Sequence, residues 1–117
     1  KMPFHNGYAV FAGLERVVNY INHLHFTATD IAYLRELGGY SDGFLDFLAN
    51  FIFVARIRAV RVGDLVFNNE ALLQVVGPLA TCVFIETALL NIIYYQTLIA
   101  SKAARFKSVV GVDGLLE

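Results

Sequence analysis

Residues 77–105 read GPLATCVFIETALLNIIYYQTLIASKAAR, an apolar run opened by Gly77-Pro78 and closed by Lys102 and Arg105. Proline suits the first helical position, where its missing N–H costs nothing and its φ is already helical. Cations in the last turns complement the negative end of the helix dipole. The run therefore predicts one long helix, roughly 40 Å at about 1.5 Å per residue. Thr87, Asn91, Ser101, Lys102 and Arg105 recur at helical spacing, with Tyr94 and Leu98 between them in the same stripe. Every other direction around the axis is apolar, which predicts packing on most of the circumference. Glu86 is the one carboxylate in the run. That setting predicts a buried carboxylate, paired with a cation or with backbone N–H groups, in a structural role in preference to a direct catalytic one.

So apolar a helix raises the question of a membrane. The chain has 117 residues and is 57% hydrophobic, with mean hydropathy +0.58, above what a soluble domain usually carries. A spanning helix needs about 20 nearly uninterrupted apolar residues. The best window, Leu79 to Ala100, contains Thr81, Glu86, Thr87, Asn91, Gln96 and Thr97. Placing Glu86 in lipid would cost on the order of 2–3 kcal/mol or more. The reading preferred is a piece of something larger, whose apolar faces belong to neighbours outside these residues. The length fits one domain.

Ahead of the long helix, Asn6-Gly7 signals a turn and residues 8–12 read as a short strand stopped by Gly13. Leu14, Val17, Val18, Ile21 and Leu24 follow helical spacing, while Glu15, Arg16, Asn19 and Asn22 face water. Thr27-Ala28-Thr29-Asp30 resembles a capping box and opens a second helix burying Ile31, Leu34 and Leu37. Gly38-Gly39 ends it. Ser41 caps a third, with Asp42 in its first turn and Phe44, Leu45, Leu48 and Phe51 turned inward. The three short helices are expected to form one tight cluster. Alternation in residues 55–59 predicts a half-buried strand; two more strands are expected at 65–67 and 71–76. Gly111-Val112-Asp113-Gly114 reads as a loop, and Leu115-Leu116-Glu117 as the start of a further strand. The order defines an α+β arrangement of short helices and antiparallel strands around one long helix.

Chemistry is sparse. His23 and His25 lie two apart, so on a helix they diverge, and no cysteine or carboxylate cluster joins them. Cys82 reads as a buried small hydrophobe, and a single cysteine suits a reducing compartment. Asp42 and Asp46 share a helical face that is expected to be solvated. Arg56, Arg58 and Arg61 could grip phosphates, but read more simply as the wet side of a strand. The net charge of −1 gives no electrostatic reason to expect nucleic acid. No phosphate loop, nucleophile elbow or zinc spacing occurs.

Several segments together resemble the nicotinate phosphoribosyltransferases. They are Met2-Pro3-Phe4 with Gly7-Tyr8-Ala9-Val10-Phe11-Ala12-Gly13-Leu14-Glu15-Arg16, and Asp30-Ile31-Ala32-Tyr33-Leu34-Arg35. Further on come Gly63, Val66-Phe67-Asn68-Asn69-Glu70, Leu72-Leu73, Gly77-Pro78-Leu79 and Glu86-Thr87-Ala88-Leu89-Leu90-Asn91. Tyr95-Gln96-Thr97-Leu98-Ile99-Ala100 and Lys102-Ala103-Ala104-Arg105 complete the colinear match. Ala71 stands where the family often has proline. The resemblance implies a hammerhead-type N-terminal domain over residues 1–117, shared with quinolinate phosphoribosyltransferases. Residues 115–117 would begin the first strand of a following α/β barrel.

The activity implied is the joining of nicotinate to phosphoribosyl pyrophosphate, giving nicotinate mononucleotide for NAD synthesis. Mg²⁺ and ATP hydrolysis accompany it, in a cytoplasmic homodimer whose N-terminal domain packs on the neighbour's barrel. The family's aromatic nicotinate contact, paired arginines and phosphorylated histidine all map outside residues 1–117. No catalytic, cofactor-binding or metal residue is therefore carried over. Glu86, Asn91, Lys102 and Arg105 are the structural candidates, and the segment alone is expected to be inactive and to self-associate. The alternative is a hammerhead-type structural or interaction module without catalysis. A likeness of residues 62–66 and 72–75 to carrier domains lacks the lysine such domains need on the hairpin tip, here Asn68-Asn69.

Overall fold

The computed structural model describes residues 7–110. Its elements are β1 (Ala9–Val10), α1 (Leu14–Asn22), α2 (Ala28–Leu37), α3 (Asp42–Ala49), β2 (Arg56–Ala59), β3 (Leu65–Val66), β4 (Leu73–Val76) and α4 (Leu79–Val110). The turn expected at Asn6-Gly7 falls partly, and the strand expected at Leu115–Glu117 wholly, outside the described residues. The strands form two separate antiparallel ribbons, β1 with β3 and β2 with β4. Ala9 pairs with Val66, and Ile57 with Val75. Because β3 and β4 belong to different ribbons, residues 67–72 cross from one to the other. The hairpin that a carrier domain would present is not formed.

Local signals placed the short helices well. Thr27 accepts from the Asp30 N–H while Asp30 accepts from the Thr27 N–H, a closed capping box. Ser41 accepts from the Phe44 N–H and so starts α3. α1 starts differently, on Gly13 at φ 103 with no side-chain cap. A Cβ there would lie 3.0 Å from the Cβ of Gln96 on α4. Gly13 thus supplies both the left-handed turn and the close approach of α1 to α4.

The helices do not form one cluster. α1 packs on α4, while α2 packs on α3. The α2–α3 pair is attached to α4 chiefly through rings: Phe26 and Phe51 lie 5.3 Å and 5.4 Å from Phe84. Val18, Leu37 and Phe44, expected inside, are exposed. α2 has no buried residue. A two-helix arm covers only one side of each helix, and nothing among the described residues covers the other.

α4 is longer than expected, continuing to Val110, and starts at Leu79 with the Pro78 carbonyl accepting from the Cys82 N–H at 3.1 Å. It accounts for the elongated extents of 57 × 29 × 23 Å. Its buried positions, Thr81, Ile85, Leu89, Thr97 and Ser101, fall on one row of every fourth residue, with Ile93 between. Each step of four overshoots a turn by about 40°, so such a row winds around the helix. Ile85 and Leu89 meet Val17, Ile57, Leu73 and Val75; Ile93 also reaches the second core of Ala9, Phe11 and Val66. The helix buries one narrow winding row, not most of its circumference, because the two ribbons reach it from different sides. Long stretches of its apolar surface stay open.

Candidate functional site

The built polar feature of the domain lies where α4 meets β1. Residues 9 and 11 turn their backbone groups to the β3 side, as in Phe11 N–H to the Asp64 carbonyl at 3.0 Å and Gly63 N–H to the Phe11 carbonyl at 2.8 Å. Residues 8, 10 and 12 turn the other way and meet side chains of α4. The Thr97 hydroxyl accepts from the Ala12 N–H at 3.2 Å and donates to the Ala12 carbonyl at 3.3 Å. Ser101 Oγ accepts from the Val10 N–H at 2.9 Å and donates to the Thr97 carbonyl. Arg105 donates to the Tyr8 carbonyl at 3.0 Å and lies over the Tyr8 ring, 5.0 Å from its centre.

The two spacings are commensurate. Four helical residues advance about 6 Å and two strand residues about 6.8 Å. Side chains of α4 therefore complete the free edge of β1 as a neighbouring strand would. Reading Ser101 and Arg105 as part of a solvated stripe missed this. Ser101 is fully buried, and Arg105 serves the strand, not the helix end, which continues beyond it. The signal available was the strict spacing of four from Ile85 through Arg105, masked by its change from apolar to polar residues.

The other candidates are dispersed. Glu86 is exposed and has no ion pair among the described residues, so it is not a buried, paired carboxylate in this chain. It falls off the buried row by one residue, next to Ile85. Asn91 and Lys102 are exposed, with Lys102 Nζ 5.7 Å from the Phe106 ring centre. His23 and His25 are exposed, and each directs Nδ1 at a backbone carbonyl 2.8 Å away, of Asn19 and His23 respectively. Arg56 and Arg58 are exposed; Arg61 makes an exposed pair with Asp64 at 3.7 Å. Asp42 does the same with Arg35 at 3.7 Å, and Asp46 is exposed. Exposed pairs of this kind contribute little. Cys82 is half-buried. Asp30 is held below the usual carboxylate range by the Thr27 hydroxyl and then the Thr27 N–H.

A groove of about 330 Å³ opens between α4 and the crossing segment. Leu90, Ile93 and Leu98 line it from the helix, and Phe67 through Glu70 form its lip. Glu70 folds back to accept from the Phe67 N–H at 2.8 Å, and Asn69 takes φ 65 at the turn. No group of three or more metal-ligating side chains occurs among the described residues, and no nucleophile stands beside a base.

This α+β domain fixes a strand on a long helix and leaves much of that helix's apolar surface facing outward. The chain belongs to the family described as the nicotinate phosphoribosyltransferase (NAPRTase) N-terminal domain, whose model matches residues 1–94. It is 48% identical over 117 residues to nicotinate phosphoribosyltransferase of Bacillus subtilis (strain 168), covering 100% of this chain and 24% of that protein. A nicotinate phosphoribosyltransferase of Mycobacterium tuberculosis (strain H37Rv) is 39% identical over 105 residues, 90% of this chain and 23% of the relative. Among solved structures, human nicotinic acid phosphoribosyltransferase matches with TM-score 0.88 and 30% identity, over 97% of this chain and 23% of that one. The chain thus spans about a quarter of the length of these relatives.

Proposed function

We propose that residues 1–117 are the N-terminal domain of an enzyme that joins nicotinate to phosphoribosyl pyrophosphate, giving nicotinate mononucleotide in NAD biosynthesis. The observation that carries this reading is the 48% identity over the whole chain to an enzyme named for that activity, supported by the fold match to the human enzyme. The domain is a scaffold in this scheme and is inactive alone. Its hydroxyl and guanidinium groups at Thr97, Ser101 and Arg105 bond the backbone of β1, which leaves them committed to structure.

Mg²⁺ and ATP belong to the proposed reaction, but the described residues bring together no side-chain set that would hold the metal. No three metal-ligating residues converge among them. Those groups are assigned to the remainder of the polypeptide, as are the reacting residues. A cytoplasmic homodimer completes the reading, with the exposed apolar side chains of α4 as the surface an N-terminal domain offers to a neighbour's barrel. The test is product formation by the full-length polypeptide given nicotinate, phosphoribosyl pyrophosphate, Mg²⁺ and ATP. Mass-spectrometric detection of nicotinate mononucleotide is expected; its absence from a folded preparation, with a transfer to some other base, would overturn the assignment.

A further inference from the structure

The pair His23 and His25 plays no part in the proposed activity. The expectation that the two rings diverge assumed a helix, but α1 ends at Asn22, with His23 as its C-cap residue and His25 beyond it. Both side chains line one open hollow at the end of α1, together with Arg16, Asn19 and Tyr20. His23 Nδ1 lies 2.8 Å from the Asn19 carbonyl, and His25 Nδ1 lies 2.8 Å from the His23 carbonyl. A carbonyl oxygen only accepts, so both Nδ1 atoms carry the proton. A neutral imidazole has one donor and one acceptor nitrogen, which leaves Nε2 of each ring with a bare lone pair. Neither Nε2 has a hydrogen-bond partner among the described residues. Metal-ligating histidines are held in this way, with one ring nitrogen on a carbonyl and the other on the ion.

We infer that Nε2 of His23 and Nε2 of His25 together bind a divalent transition metal of the Zn²⁺, Ni²⁺ or Cu²⁺ type, with water in the remaining positions. Imidazole nitrogen suits these ions, whereas Mg²⁺ prefers oxygen, so the site is separate from the Mg²⁺ of the proposed reaction. The same two hydrogen bonds select a cation over an anion. Arg16 beside two histidines resembles a phosphate site, but each neutral ring offers the hollow a lone pair and no donor. Arg16 is exposed, so its long side chain can turn its charge to water. With only two protein ligands the site is open and its ion exchangeable, unlike a closed structural zinc site. Its position gives it a role. His25 precedes Phe26, whose ring lies 5.3 Å from that of Phe84 on α4, and Thr27, which caps α2. An ion bridging His23 and His25 ties the end of α1 to the root of the α2–α3 arm, and stabilises that connection by binding its folded form.

The test is Zn²⁺ titration calorimetry, in excess Mg²⁺, on the full-length polypeptide and on its His23→Ala, His25→Ala and doubly substituted forms. Both histidines are exposed, so the variants are expected to fold. The expected result is that one Zn²⁺ equivalent of the parent disappears in either single variant and that the double variant loses no more, because one ion needs both rings. Amide hydrogen exchange is expected to slow over residues 23–30 when Zn²⁺ is added to the parent, and to stay unchanged in the variants. An unchanged number of equivalents in both single variants would overturn the inference, as would losses that add in the double variant, the mark of two rings binding separately. Binding of inorganic phosphate that is lost in Arg16→Ala, with no Zn²⁺ equivalent tied to the histidines, would overturn it in favour of an anion site. None of these readouts depends on catalysis, so failure of the metal site and failure of the proposed activity are told apart.

Discussion

Replacing Ser101 by alanine tests the joint between α4 and β1 at its most buried point. Ser101 is fully buried, and its Oγ is the acceptor for the Val10 N–H at 2.9 Å. The opposite edge of β1 is already used by β3, so this N–H has no strand to turn to. Leaving a buried donor unsatisfied costs about 1–3 kcal/mol. Alanine is the better helix former by roughly half a kcal/mol, which offsets part of the loss. A net destabilisation of about 1–2 kcal/mol is expected, lowering the midpoint of a domain of this size by roughly 4–8 °C per kcal/mol. Urea unfolding of the 117-residue chain measures the total, and amide hydrogen exchange locates it: Val10 should lose protection while Phe11, bonded to Asp64, keeps it. A variant as stable as the parent, with Val10 still protected, would refute the view that α4 side chains complete the edge of β1.

Gly13→Ala should destabilise by at least about 1–2 kcal/mol, the strain of left-handed backbone for a residue with a Cβ, because Gly13 sits at φ 103 and a Cβ would lie 3.3 Å from the Ile92 carbonyl oxygen; an unchanged melting temperature would contradict it. Gly77→Ala should fail for a different reason, with its Cβ built 2.6 Å from that of Ala55, and its mark is lost protection at the start of β2 and the end of β4. The depressed pKa of Asp30 means that ionised Asp30 favours the folded state. That contribution is fully present above the ordinary carboxylate value of 3.8 and is lost as pH falls through the lower folded value. Acid titration of Asp30→Asn should therefore show a shallower loss of stability below that value than the parent; identical acid limbs would sink the assignment.

What the sequence revealed and what it hid divide along a physical line. Signals that act within four residues were legible: the Thr27–Asp30 box and the Ser41 cap formed as read, and the strand expected at 55–59 forms over Arg56–Ala59, though only Ile57 on it is partly buried. Partners distant in sequence were not. Ser101 and Arg105 look like part of a polar helix stripe until the β1 segment, some 90 residues earlier, is laid along them. Equal polarity can mean water outside or backbone inside, and periodicity does not distinguish the two. Burial of Val18, Leu37, Phe44 and Glu86 was overestimated for a related reason. Apolar spacing reports that a face needs cover, not whether the cover lies within the same 117 residues. The segments shared with nicotinate phosphoribosyltransferases identified the family where chemistry alone was silent, because the chain holds scaffold residues and no converging reactive groups among those described.

The central proposal is that this chain is a scaffold which becomes part of a catalyst only with the rest of its polypeptide. Nicotinate mononucleotide formation measured side by side for the 117-residue chain and for the full-length polypeptide, at equal molar concentration, tests it most directly. The account gives turnover by the full-length polypeptide and none by the chain. Product from the isolated chain, or a folded full-length polypeptide that makes none, would contradict it.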